Sequence, residues 1–191
     1  MDHLKDFQKL VVKNASQVKG LLIGEIAPDF SLPNAFGQTI CLSKILETDI
    51  VILKFYRGEW CPICNLDLRE IQKHLPEIKS YGDTLLAIRP QKPDDALTIS
   101  QKNELGFDVL SDEKQEVIKS YHLQFDPGED YHKRRDLTLL NGDGSKTLPV
   151  PATFIIDTNQ KIIAVHVEAD YTLRMHPKEI LKVLSEIKKN E

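Results

Sequence analysis

Cysteine is scarce in this chain of 191 residues, which has three cysteines, at positions 41, 61 and 64. Three cysteines cannot build a scaffold of several disulfides, so a disulfide-rich fold is excluded. Long hydrophobic runs are also lacking, and the longest, such as residues 50–53, are far too short to span a bilayer. Residues 1–6 include acidic side chains and no long apolar core, which is atypical of a secretory signal. We therefore expect a cytoplasmic protein that does not bind membranes.

The charge balance narrows the class of protein further. The formal net charge is −4, which argues against a broad nucleic-acid-binding surface. Hydrophobic residues make up 41% and charged residues 28%, as is typical of a globular protein with a real core. The length predicts one compact domain with ordinary additions.

Strand-like and helix-like segments alternate along the chain. Apolar residues at helical spacing predict an amphipathic helix within residues 1–20, ending at Gly20. Residues 21–191 then form a single α/β domain with a mixed sheet, interrupted by an insertion at about 122–147 that holds one short helix. An extended segment is predicted at about 24–32, and further strands at about 39–42, 50–56, 84–88, 107–110, 152–157 and 161–167. The predicted helices lie at about 65–81, 93–106, 111–121 and from Pro177 onward.

The most informative motif is Trp-Cys-Pro-Ile-Cys at residues 60–64, between a buried strand and a helix. Two cysteines three apart at such a junction can close a small disulfide. The helix N-terminus favours a thiolate through its free N–H groups and partial positive charge. Because thiolates attack disulfides and peroxides, we expect thiol redox chemistry. A zinc site would need further ligands, and no second cysteine pair is present, so neither a metal nor an organic cofactor is predicted.

The segments at residues 24–30, 55–64, 87–90 and 154–157 together resemble one family. That family is the peroxiredoxins, the alkyl hydroperoxide reductase/thiol-specific antioxidant superfamily. Residues 24–30 are similar to the opening signature of that family, and residues 55–64 resemble its peroxidatic loop in a CxxC variant. The similarity continues through residues 87–90 and 154–157 and covers about residues 21–188. It implies a thioredoxin-like three-layer sandwich, with a mixed central β-sheet flanked by helices and an N-terminal helix and strand extension.

The resemblance assigns the two cysteines in opposite ways. Cys64 stands at the position of the peroxidatic cysteine of typical peroxiredoxins, while Arg57 replaces the proline of their loop. In thioredoxins the cysteine at the position of Cys61 is the nucleophile. Pro151 lies just before a strand, where thioredoxins carry a cis-proline facing the active cysteine, although an ordinary trans proline also fits there. The sequence leaves open which sulfur attacks first.

Other side chains are candidates for supporting roles. Peroxide reduction needs a cation beside the sulfur, and Arg57, Arg89 and Arg174 are candidates, Arg57 first. Glu59 is either a proton relay or an exposed loop carboxylate. Trp60 either covers the disulfide or packs against the first helical turn.

The predicted function is antioxidant peroxide reduction. In the predicted cycle Cys64 attacks a peroxide to give a sulfenic acid, Cys61 condenses with it, and a thioredoxin-like reductant restores the dithiol. Superfamily members often form dimers, so a homodimer is expected. One alternative is a protein thiol–disulfide oxidoreductase with Cys61 as nucleophile, and another is a redox-sensing module with little turnover. We interpret Cys41 as a buried apolar residue rather than a distant resolving thiol, and residues 132–135 as a solvated basic cluster.

Overall fold

A computed structural model of the protein describes residues 2–93 and 104–190. The helix predicted at about 93–106 lies largely outside these residues. The helices are α1 (Asp2–Ala15), α2 (Leu42–Ile45), α3 (Pro62–Ser80), α4 (Glu116–Ser120), α5 (Glu129–His132), α6 (Leu137–Leu140) and α7 (Pro177–Asn190). The strands are β1 (Ser31–Pro33), β2 (Thr39–Cys41), β3 (Val51–Phe55), β4 (Thr84–Arg89), β5 (Asp108–Ser111), β6 (Gln124–Phe125), β7 (Leu148–Pro149), β8 (Ala152–Ile156) and β9 (Ile162–Val167).

The central sheet is mixed and has the strand order β5-β4-β3-β8-β9. Strand β3 pairs in parallel with β4 and antiparallel with β8, while β4 and β5 are parallel and β8 and β9 antiparallel. All five residues of β3 are buried, as expected for a continuous apolar run covered on both faces. The predicted mixed sheet is confirmed.

Two layers of helix and loop cover this sheet. On one face α3 and α7 pack against alternating strand residues, including Ile52, Leu85 and Ile155. On the other face α2, α4 and the segment before β1 cover residues such as Leu53 and Phe154. Successive strand residues point to opposite faces, so a strand without alternation supplies both cores at once. The three-layer thioredoxin-like sandwich is thereby confirmed.

The N-terminal helix packs on the predicted insertion. Val11 and Ala15 of α1 lie in a third apolar cluster with Tyr131 of α5, and Phe7 stacks on Tyr131 at 5.5 Å between ring centroids. The insertion holds two short helices, α5 and α6, and strand β6, so the prediction of one helix was wrong. The two outer elements therefore stabilise each other by burying a shared apolar surface.

Some predicted helix bounds were also wrong. Helix α1 ends at Ala15, five residues before Gly20, where the Ser16 hydroxyl bonds the Lys13 carbonyl and competes with helical pairing. Helix α3 begins at Pro62, earlier than predicted, because proline fits the first helical position. Helix α4 begins only at Glu116, since Gln115 has a φ of 57°. No helix in the described part of the chain is long and apolar enough to cross a membrane.

Candidate active site

The site lies at one edge of the sheet, where β3 and β4 end and β8 begins. A short loop joins β3 to α3 and is held by three contacts. The Glu59 amide donates to the Gln91 side chain at 2.7 Å, the Asn65 amide group donates to the Glu59 carbonyl at 2.7 Å, and the Cys61 amide donates to the Gly58 carbonyl. Gly58 has a φ of 137°, and a Cβ there would lie 2.6 Å from Gln91 Oε1. The loop conformation therefore requires glycine.

The Cys61 sulfur caps the N-terminus of α3. The Cys64 thiol donates to it at an Sγ–Sγ distance of 2.6 Å, the Cys64 amide donates at 3.4 Å, and Arg57 Nη2 donates at 3.6 Å. Both sulfurs are buried, with residue exposures of 1% for Cys61 and 0% for Cys64. Three donors converging on one sulfur at a helix N-terminus stabilise its thiolate.

The two sulfurs consequently differ in acidity. The hydrogen bond from the Cys64 thiol, together with the Arg57 guanidinium and the Cys64 amide, lowers the pKa of Cys61 to about 5. Burial and the neighbouring Cys61 sulfur raise the pKa of Cys64. At neutral pH the reduced pair therefore holds one thiolate, at Cys61, and one thiol, at Cys64. The two sulfurs are therefore chemically distinct, and the order of attack predicted from the peroxidatic-loop resemblance stays a prediction.

Arg57 is buried in an aromatic pocket, with 5% of the residue exposed. Its guanidinium lies 4.0 Å from the centroid of the Tyr171 ring, 5.3 Å from that of Trp60 and 6.0 Å from that of Tyr131. Its Nε and Nη1 donors make no hydrogen bond to any residue that the structure describes. The pocket orients Arg57 toward Cys61 and leaves two donors able to bind an oxygen atom.

Cys64 has its own arginine. Arg174 Nη2 lies 3.7 Å from the Cys64 sulfur, and Arg174 Nε lies 3.5 Å from an oxygen of Asp67. Asp67 also forms an ion pair with Lys54 at 3.0 Å, and the Lys54 side chain is 2% exposed. A buried charge is costly unless it is paired, so these three side chains hold one another in place.

The remaining predicted site residues have more varied positions. Arg89 is fully buried and donates to the Lys92 carbonyl at 2.9 Å, whereas Arg57 and Arg174 reach the sulfurs. Pro151 is buried directly before β8, and its peptide bond is trans, so the cis form is not adopted. Glu59 is half-buried, and its backbone groups, described above, hold the loop. Its role as a proton relay stays a prediction.

Cys41, predicted to be buried, is instead half-buried in β2, where its sulfur lies 3.3 Å from the Ser43 hydroxyl. A hydrogen bond from Ser43 lowers the pKa of Cys41. Over residues 2–93 and 104–190 there is no group of three or more His, Cys, Asp or Glu side chains that could hold a metal ion.

Trp60 packs between two arginines. The buried Arg57 guanidinium lies on one side, 5.3 Å from the centroid of the Trp60 ring, and the guanidinium of the exposed Arg135 lies 4.6 Å from the same ring centroid. Arg134 lies over the Phe7 ring of α1 at 4.4 Å. Residues 133–135 of the basic cluster are exposed, as predicted, whereas His132 is half-buried and lies 2.7 Å from Asp126 Oδ1. Arg134 and Arg135 also contact aromatic residues around the site.

Sequence reasoning named both arginines that contact the sulfurs but missed the residues that hold those arginines in place: Lys54, Asp67, Tyr131 and Tyr171. Lys54 had a detectable signal, because it is the one charged residue in the otherwise apolar strand β3. Asp67 lies on the same helix as Cys64 and three residues after it, which places the two side chains on neighbouring positions of that helix. Tyr131 and Tyr171 carried no comparable signal, since each comes from a distant segment.

The fold and the cysteine pair together define a thiol oxidoreductase with a thioredoxin fold. The model of the AhpC/TSA family matches residues 23–165, well over half of the chain. The chain therefore belongs to the AhpC/TSA family, the peroxiredoxins that its loop resembles. As a member of that family it is a thiol peroxidase, and thiol-dependent reduction of peroxides is its activity.

The chain is also similar to individual proteins and to solved structures. Peroxiredoxin Bcp of Escherichia coli (strain K12) is 28% identical over 166 residues, which cover 87% of this chain and 97% of that protein. The thiol-disulfide oxidoreductase ResA of Halalkalibacterium halodurans is 26% identical over 146 residues, 75% of this chain and 67% of that protein. The crystal structure of peroxidoxin BcpB from Mycobacterium tuberculosis has a TM-score of 0.68 at 22% identity, covers 86% of this chain and 97% of that chain, and shows the same fold.

Proposed function

We propose that Cys61 is the peroxide-attacking cysteine of this thiol peroxidase and that Cys64 is its resolving cysteine. The observation that carries this assignment is the convergence of three donors on the Cys61 sulfur, from the Cys64 thiol, the Cys64 amide and Arg57. The thiolate is the reactive form of a cysteine, and these donors keep Cys61 in that form at neutral pH.

The first step is attack of the Cys61 thiolate on one peroxide oxygen. A sulfur–oxygen bond forms, the oxygen–oxygen bond breaks, and the other oxygen leaves as hydroxide or alkoxide and takes up a proton. The product at the protein is a Cys61 sulfenic acid. Arg57 is suited to stabilise the negative charge that develops on the leaving oxygen, because its Nε and Nη1 donors are buried and make no hydrogen bond to the described residues.

The second step is condensation of Cys64 with the sulfenic acid, which gives the Cys61–Cys64 disulfide and water. The 2.6 Å between the two sulfurs supports this direct resolution. A thioredoxin-like reductant then restores the dithiol by exchange at Cys61. We place this cycle in the cytoplasm and expect a homodimer, because members of the superfamily often form dimers.

Single-turnover kinetics with hydrogen peroxide test the assignment. The Cys64→Ser protein retains a hydroxyl that can donate to Cys61, so we expect it to form a trappable sulfenic acid at a rate close to that of the wild type. The Cys61→Ser protein should react no faster than a free thiol, and Cys41→Ser is the matched control that should behave as the wild type. Rapid sulfenic acid formation in Cys61→Ser would overturn the assignment and restore Cys64 as the peroxidatic residue.

A second function is favoured by the same thiolate. Cys61, an acidic cysteine at the start of a helix, and the buried Cys64 thiol that follows it are also suited to attack on a protein disulfide. The similarity to a thiol-disulfide oxidoreductase supports this candidate. Insulin-disulfide reduction measured beside peroxide consumption separates the two, since a true oxidoreductase would reduce insulin faster than it consumes peroxide.

A further inference from the structure

Resolution poses a chemical problem that the attacking step does not. The Cys64 thiol must lose its proton before it can attack the sulfenic acid, yet Cys64 is fully buried and burial disfavours its thiolate. In the reduced protein the negative charge on Cys61 opposes ionisation of Cys64 still further. A buried thiol in this position therefore needs a nearby cation to stabilise its thiolate.

Arg174 supplies that cation. Its Nη2 lies 3.7 Å from the Cys64 sulfur, whereas the arginine that donates to Cys61 is Arg57, at 3.6 Å. The two arginines come from opposite sides of the site, Arg57 from the loop after β3 and Arg174 from the segment between β9 and α7. Each sulfur of the pair thus has one guanidinium within contact distance.

Arg174 is fixed by an internal chain of charges. Asp67 lies one turn along α3 from Cys64, and its Oδ2 is 3.5 Å from Arg174 Nε and 3.0 Å from Lys54 Nζ, so one carboxylate forms an ion pair with both cations. Lys54 Nζ also donates a hydrogen bond to Asp67 Oδ1 at 3.2 Å. Arg174 also donates to the carbonyls of Tyr171 and Leu173. The Arg174 side chain is 12% exposed and that of Asp67 9% exposed, so solvent screens this arrangement little. The cation is held in place before the reaction rather than recruited during it.

We propose that Arg174 is a second catalytic arginine, dedicated to the resolving step: it stabilises the Cys64 thiolate that attacks the Cys61 sulfenic acid, and the buried Lys54–Asp67 ion pair positions it. The inference rests on the proposed function, in which Cys61 is oxidised first. The Cys64 thiolate forms a sulfur–sulfur bond with Cys61, the sulfur–oxygen bond of the sulfenic acid breaks, and the departing hydroxide combines with the proton lost by Cys64 to give water. One sulfenic acid and one thiol give one disulfide and one water, so no further oxidant is needed.

The arrangement also sets the order of events. Before oxidation the Cys61 thiolate keeps Cys64 protonated, and the Cys64 thiol in turn donates to Cys61. After oxidation Cys61 is a neutral sulfenic acid, so the opposing charge is gone while Arg174 and Arg57 remain. Lys54 and Tyr56, on the β3 side, also interact with the Cys64 sulfur. The loss of one negative charge thus releases the Cys64 thiol for attack only when there is a sulfenic acid to resolve.

The test separates the two chemical steps in the full-length protein. Hydrogen peroxide is mixed with reduced protein, sulfenic acid is trapped at timed intervals with a sulfenate-specific nucleophile, and disulfide is quantified by mass spectrometry. For Arg174→Met we expect sulfenic acid formation within twofold of the wild type and disulfide formation slowed about tenfold or more, the effect of losing one adjacent opposite charge. The pH midpoint of the disulfide-forming step should move upward, which a merely structural role would not produce. Arg174→Lys should recover part of the rate.

Controls make each outcome decisive. Lys73→Met removes an exposed cation that lines the same cleft as Arg174, a cleft of about 480 Å³, and it should change neither step. In a Cys64→Ser background Arg174→Met should leave sulfenic acid formation unchanged. Arg174→Gln repeats the experiment with a polar side chain in case the methionine variant does not fold.

The inference is overturned if folded Arg174 variants form the disulfide within twofold of the wild-type rate, or if both steps slow by the same factor. Failure of the proposed function has a different signature, because no sulfenic acid would then form at Cys61 in the wild-type protein.

Discussion

Replacing Arg57 with methionine is the sharpest probe of the attacking step. The substitution keeps much of the volume of the side chain but removes a charge 3.6 Å from the Cys61 sulfur. At an effective dielectric constant of about 20, two unit charges at that separation attract by about 4 to 5 kcal/mol. Arg57 also loses hydration on burial, so the smaller range measured for one adjacent opposite charge, about 1 to 3 pK units, is the better guide.

The expected change in thiolate population follows from that range. The pKa of Cys61, lowered to about 5 by its donors, should rise to between about 6 and about 8 in Arg57→Met. At pH 7 the thiolate fraction would then fall from about 99% to between about 90% and about 10%. Alkylation by iodoacetamide, which needs only the thiolate, should therefore slow by no more than about tenfold.

The rate of peroxide reduction should fall further than the rate of alkylation, because Arg57 also faces the leaving oxygen. Removal of one preorganised donor to a developing negative charge costs about 10²- to 10³-fold in rate. We expect the peroxide rate constant, followed by the fluorescence of Trp60, to fall by at least 10²-fold while alkylation at the same pH falls far less. Arg135→Met is the matched control, since Arg135 also lies over the Trp60 ring but is exposed. Equal losses in both reactions would refute a role for Arg57 beyond holding the thiolate.

Two further predictions concern stability. The pKa of Cys61 lies near 5 in the folded protein, below its ordinary value of 9.0. Between these pH values the unfolded chain holds a proton on Cys61 that the folded chain has released, so the free energy of unfolding of the reduced wild type, relative to that of Cys61→Ser, should grow as pH rises from 5 to 8. Urea unfolding across that range measures this difference, and a constant difference would contradict the assigned thiolate. Lys54→Met should lower the free energy of unfolding by about 3 kcal/mol in the same assay, since it leaves buried Asp67 with Arg174 as its remaining ion-pair partner among the described residues. The double variant Lys54→Met/Asp67→Leu should lower the free energy of unfolding by less. A greater loss of stability in the double variant would argue against a penalty for an unpaired buried charge.

Local patterns predicted most of the secondary structure. The all-apolar run that became β3 was identifiable because a strand buried on both faces shows no alternation. Helix boundaries were predicted less well, since they depend on contacts that periodicity does not encode. At Ala15 the decisive contact is the Ser16 hydroxyl with the Lys13 carbonyl, and at Gln115 it is a left-handed backbone conformation.

The site was predicted in part. Cys61, Cys64 and Arg57 lie within eight residues of one another, so the loop between a strand and a helix places them together whatever the rest of the chain does. Arg89 was an equally reasonable candidate from its position after a strand, but its side chain bonds the Lys92 carbonyl. The end of a strand determines where the backbone of such a residue lies, but the packing around it determines the direction of its side chain.

The sequence by itself determined the class of chemistry, because two cysteines three apart at a strand–helix junction are a local feature that carries its own electrostatics. It also determined the family, since the matching residues extend along most of the chain. Only the tertiary structure decided which arginine lies beside each sulfur. Arg174 contacts the Cys64 sulfur from 110 residues away along the chain, and its neighbour Asp67 is paired with the buried Lys54. The interaction between two charges depends on the distance between them in space, and the spacing of residues along the sequence does not determine that distance.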